Sequence, residues 1–103
     1  MGRKEIFENN IEEIIRIGEK HGATNIKLFG SVARGDFDQD SDFDFLYTRK
    51  KPTSPWFPGG LKVELEELLR SKVDVVSEKA LKPRLKDKIL LEAIPLCDLI
   101  KKD

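Results

Sequence analysis

Residues 42–47 read DFDFLY, and that alternation restricts what the chain can become. Successive side chains of a strand point to opposite faces. Asp42 and Asp44 would therefore share one face, and Phe43, Phe45 and Tyr47 the other. The aromatic face calls for a core. The acidic face cannot be core, because neighbouring like charges repel and aspartate is itself a poor strand former. A lone D-x-D ordinarily marks an edge strand with a solvated acidic face. The other reading is that a divalent cation offsets the repulsion.

The flanking segments supply the rest of a sheet-based fold. Phe7, Ile11, Ile14, Ile15 and Gly18 fall at helical spacing, with Glu12, Glu13, Arg16 and Glu19 opposite them and Gly22 as a stop. Residues 26–29 read as a strand ending at Gly30, followed by a tight turn and one helical turn. A second strand runs over residues 42–48. Pro52, Pro55 and Pro58 then mark a connector over residues 50–60. Leu61, Leu65, Leu68 and Leu69 form the stripe of another helix, and residues 73–76 a buried strand. Leu85, Ile89 and Glu92 share a last helix, and residues 94–97 an edge strand tolerant of Pro95. This order predicts a mixed α/β fold, a small sheet flanked by helices, in one domain spanning residues 1–103.

Lys plus Arg equals Asp plus Glu at 19 each, a formal net charge of zero. That balance argues against broad nucleic-acid binding, which needs a positive field, but not against holding one nucleotide. The single cysteine, Cys97, lies among Ile94, Leu96 and Leu99 and is expected to be a core thiol. One cysteine permits no internal disulfide and fits a reducing, cytoplasmic setting. The polar first ten residues and the lack of a long apolar run give no sign of a signal peptide or membrane span. His21, at a helix end, is expected on the surface. Trp56 and Phe57 are expected to cap the core locally, and Arg49, Lys50 and Lys51 to form a solvated strand end.

The chemistry concentrates between Gly30 and Asp44. Glycine lets backbone approach a ligand closely, and free N–H groups at a helix start attract phosphate. Ser31 adds a hydroxyl donor, and Arg34 a planar cation suited to phosphate oxygens. Asp36, Asp38 and Asp40 match the first three ligands of a calcium-binding EF-hand loop. The match then fails, because Ser41 stands where that loop needs glycine and Tyr47 where it needs glutamate. A phosphate cradle and an acidic pair one short loop apart describe a nucleoside triphosphate with its magnesium.

The stretch GSVARGDFDQDSDFDFLY, with its G-S-x-A-R-G and S-D-x-D elements, resembles the signature of the minimal nucleotidyltransferases of the DNA polymerase β superfamily. The resemblance extends over most of the chain, including KPRLKDKILLEA near the last helix. Tyr47 departs from it, standing where small aliphatic residues are usual. The resemblance implies the nucleotidyltransferase fold and a third carboxylate on a later strand, which Asp74 supplies within VDVV. By itself that aspartate would be an exposed strand position.

What the resemblance implies about activity follows. Asp42, Asp44 and Asp74 would be catalytic and would hold magnesium, two ions in all, while Gly30, Ser31 and Arg34 would bind the nucleotide. ATP would be the substrate. Standalone members of the family are commonly antitoxins that transfer AMP to a tyrosine of a HEPN-domain ribonuclease toxin, so the expected partner is such a toxin, with no direct nucleic-acid contact and no membrane. Two alternatives stay open: an antitoxin that merely occludes its partner, and a nucleotidyltransferase for a small hydroxylated compound.

Overall fold

A computed structural model describes residues 3–35, 42–49 and 59–100. The aspartates at 36, 38 and 40, together with Lys50, Lys51, Trp56 and Phe57, lie outside those residues.

The amphipathic N-terminal segment folds as two helices rather than one, α1 (Arg3–Asn9) and α2 (Ile11–Lys20). Asn10 causes the break. Its side-chain amide donates to the Ile6 carbonyl at 2.7 Å, competing with the helical ladder as asparagine characteristically does. Ile11, Ile14, Ile17 and Gly18 face inward from α2, while Glu12, Arg16, Glu19 and Lys20 stay exposed.

Strand β1 (Ala23–Phe29) begins three residues earlier than its sequence pattern suggests. A bulge between Thr24 and Lys27 interrupts the alternation, with Asn25 in the left-handed region at φ 51°. Strand β2 (Phe43–Arg49) pairs with β1 antiparallel. Helix α3 (Gly59–Leu69) then carries the chain to β3 (Val73–Ser77), which runs parallel to β2, as a helical crossover allows. After a 3₁₀ turn over Glu78–Ala80, helix α4 (Pro83–Glu92) leads to β4 (Ile94–Pro95), antiparallel to β1. The sheet order is β3-β2-β1-β4, so α4 joins one edge strand to the other. This is the expected mixed α/β architecture, with the proline in an edge strand.

The core lies on the aromatic side of β2. Phe7, Phe43 and Phe45 stack with ring centroids 5.6 to 6.5 Å apart, and Leu61, Leu65 and Leu69 of α3 close over the same cluster. Tyr47, 5% exposed, belongs to it too. Leu46 is fully buried from the other face, so β2 is covered on both sides beyond its acidic end.

Two expectations need correction. His21 is not on the surface: it is 7% exposed, and its Nε2–H donates to Glu64 at 3.1 Å, tying the end of α2 to α3. A helix end normally meets water, but here α3 packs across it. Cys97 is not a core thiol but exposed, because β4 lasts only two residues and the chain turns into a 3₁₀ segment over Leu96–Leu99. Leu96 takes the buried position and Cys97 points outward.

Candidate active site

β2 is an interior strand, so Asp44 cannot shed its charge over a free edge. Its register neighbours are Asp74 on β3 and Phe29 on β1. Parallel pairing thus places two carboxylate-bearing residues side by side. Asp42 immediately precedes β2, where the Phe43 N–H bonds the Lys72 carbonyl at 3.0 Å and pins the strand's start beside β3. Asp42 and Asp44 are half-buried, and Asp74 is exposed.

The electrostatics follow from this placement. Burial pushes the Asp44 carboxyl above its ordinary range, Asp74 and then Asp42 push it further, and only Arg34 pulls the other way. Asp44 is thus the carboxyl on which two neighbouring carboxylates and one guanidinium act.

The turn after β1 sits against that carboxyl. Gly30 adopts φ +81°, and a Cβ there would collide with the Asp44 side chain. Glycine is required both by the backbone angle and by the space. The expected helical turn is absent. Residues 31–35 form successive turns closed by Arg34 N–H to Ser31 O at 3.1 Å and Gly35 N–H to Val32 O at 2.9 Å. Val32 is 3% exposed and anchors this segment in the core. Among the described residues, no backbone carbonyl accepts from the N–H groups of Ser31, Val32 or Ala33. A curl of donors of this kind suits an anion without a helix behind it.

Arg34 pairs with Glu92 at the end of α4. Glu92 went unnoticed as a site neighbour in the sequence, although it closes the KPRLKDKILLE segment that carries part of the resemblance. Helical periodicity places Glu92 on a face but cannot say which turn that face meets.

Among the described residues, no group of three or more His, Cys, Asp or Glu side chains forms a ready-made metal cluster. The residues nonetheless suit magnesium. The donors are all carboxylate oxygens, and the mutual repulsion that raises Asp44 is what a divalent cation relieves. A separate cleft of about 360 Å³, lined by Phe7, Ile11, Leu28, Val32 and Ala33 among others, lies on the far side of the turn and touches none of the three aspartates. The carboxylates define this site, since phosphoryl chemistry needs charge more than concavity.

An interior strand that starts within D-x-D, a partner carboxylate on the parallel neighbour and a glycine turn against Asp44 describe a nucleotidyl-transferring domain. The chain belongs to the polymerase beta nucleotidyltransferase family, whose model matches residues 12–101. It is 42% identical over 82 residues to a Methanocaldococcus jannaschii protein provisionally named protein adenylyltransferase MJ0435, covering 80% of this chain and 88% of that one. A solved structure provisionally described as a minimal nucleotidyltransferase superposes with a TM-score of 0.81 at 39% identity, over 92% of this chain and 96% of that one. A toxin–antitoxin crystal structure with AMP-PNP superposes with a TM-score of 0.72 at 24% identity, over 84% of this chain and 72% of that one, which is a likeness of fold. Among the described residues no helix is long and apolar enough to cross a membrane.

Proposed function

We propose that this protein, as a single domain over residues 1–103, transfers AMP from ATP to a tyrosine hydroxyl of a HEPN-domain toxin and so neutralises it. The observation that carries the reading is the register of Asp44 beside Asp74, with the Gly30 turn against the Asp44 carboxyl. The name of the Methanocaldococcus relative supports a protein acceptor, and the toxin–antitoxin structure is in keeping with such a partner.

In this reading Asp42, Asp44 and Asp74 would hold magnesium. When bound, the metal would lower the pKa of the attacking hydroxyl and neutralise charge on the triphosphate. The Gly30 turn and the Ser31 hydroxyl orient the β- and γ-phosphates, and Arg34 faces the same anion from the turn's far end. The tyrosine oxygen forms a bond to the α-phosphorus, its proton passes to an Asp74 carboxylate oxygen, and the bond to the bridging oxygen breaks to release pyrophosphate. Half-burial of Asp44 limits the water that competes with the acceptor.

Intact-mass measurement tests this. Incubated with a HEPN-domain toxin from the same genome, ATP and magnesium, the wild-type chain adds AMP-sized increments to that protein. Asp44→Ala abolishes the addition while the two proteins still associate. Association and full inhibition of the toxin with no mass change in the wild type would sink the catalytic reading and leave occlusion.

A further inference from the structure

Helix α4 has no buried residue, although it lies in the connection from edge strand β3 to edge strand β4. Leu91 near its end is 90% exposed, the barest large hydrophobic side chain among the described residues. Successive helical residues turn by about 100°, so Arg84, Asp87 and Lys88 lie within about 60° of Leu91, while Leu85 stands about 120° away. Leu91 is therefore an isolated apolar knob in a charged setting, not part of a continuous apolar stripe that a lipid surface would need.

On that side two bases, Arg84 and Lys88, flank one acid, Asp87, while Lys86 stands about 140° from Leu91 and Lys82 precedes the helix. Lys82, Arg84, Lys86 and Lys88 are exposed, and among the described residues none has an ion-pair partner. Asp87 is the one acid amid them, because Glu92 is engaged by Arg34. The chain as a whole carries no net charge, so this excess is local and points to a specific surface rather than a general polyanion. Leu91 precedes in sequence the Glu92 that pairs with Arg34 of the Gly30–Arg34 turn, about 100° from it around the helix.

We propose that the outward face of α4 around Leu91 docks the protein acceptor, and that it fits an acidic surface with an apolar recess for the leucine. The inference rests on the protein-acceptor reading above. A bound acceptor would be held one residue from the ion pair that braces the nucleotide turn, which brings its hydroxyl toward the carboxylates.

Affinity for the HEPN-domain toxin used in the transfer assay is measured for the full chain, for Leu91→Ser and for the double variant Arg84→Glu with Lys88→Glu. Each weakens binding by about tenfold or more, and wild-type binding falls as salt rises. The melting shift with ATP and magnesium is retained in both variants, which shows that they fold and hold nucleotide. Lys62→Glu, a single charge reversal at an exposed position of α3, changes affinity by less than about twofold. If both α4 variants bind and are modified like wild type, the docking inference falls and the catalytic reading stands. If the wild type neither binds nor modifies the partner, the protein-acceptor reading falls and takes the inference with it. Loss of binding in the α4 variants, with no AMP transfer by the wild type, keeps the docking surface and overturns the activity. Leucine-dependent self-association or attachment to phosphatidylserine vesicles, with partner binding unchanged, also overturns the inference.

Discussion

Asp44 is a residue the fold tolerates at a loss. Its carboxyl is pushed up by burial first and by Asp74 and Asp42 after that. A folded pKa above the ordinary value of 3.8 means its contribution to stability is fully present below that value and lost as pH rises through the folded one. At neutral pH, without ligand, the ionised group therefore weakens the fold. Asp44→Asn should stabilise the unliganded protein by about 0.5–2 kcal/mol at pH 7, and the gain should vanish below pH 4. Denaturant melts at the two pH values check it; an asparagine variant less stable than wild type at pH 7 would mean that the carboxylate is structural.

At the scale of elements, Glu64 pins two helices. It accepts from Lys20 at the end of α2 and from His21 beyond it, and these hydrogen bonds hold its carboxyl below the usual range. A lowered pKa has the opposite sign: the stabilisation is present above the unfolded value of 4.5 and lost as pH falls through the folded value. Glu64→Gln should cost about 1 kcal/mol or less at pH 7, since the pair is partly exposed, and should make the acid limb of the stability curve shallower. Urea melts across pH 3 to 7 give the measurement. This pin was illegible in the sequence because His21 follows α2 and Glu64 lies in α3, and only the packing of those helices makes neighbours of them. The strongly periodic parts were legible. DFDFLY shows both faces of β2, and the inward residues of α2 and α3 are spaced as their burial requires. The failures were local: Asn10 splitting a helix, Asn25 bulging a strand, Val32 anchoring a run of turns in the core. Each is a single side chain that a repeat pattern averages away. Gly30, Ser31, Arg34, Asp42 and Asp44 become candidates by residue type and spacing, Asp74 by the resemblance, and Glu92, which pairs with Arg34, by neither.

Across the whole molecule, charge is balanced in sum and sorted in space, with acids gathered at the ends of β2 and β3 and bases along α4. A ligand that neutralises the acids should stabilise the native state in proportion to its binding. ATP with magnesium, at about 100 times its Kd, should add about 2.7 kcal/mol to the wild type. Asp42→Asn with Asp44→Asn should lose that increment. Thermal melts with each ligand separately and together decide it, and an equal shift in wild type and double variant would move nucleotide binding away from the aspartates.

The parallel pairing of β2 with β3 also sets when the site can exist. Asp44 meets Asp74 only after α3 has closed the crossover between them, which is the kind of long-range contact that forms slowly. A ribosome delivers Gly30, Ser31, Asp42 and Asp44 well before it delivers β3. A nascent or truncated chain ending ahead of Val73 therefore carries the whole G-S and D-x-D signature without Asp74, and the pairing of the two aspartates arrives with the completed sheet rather than with the motif.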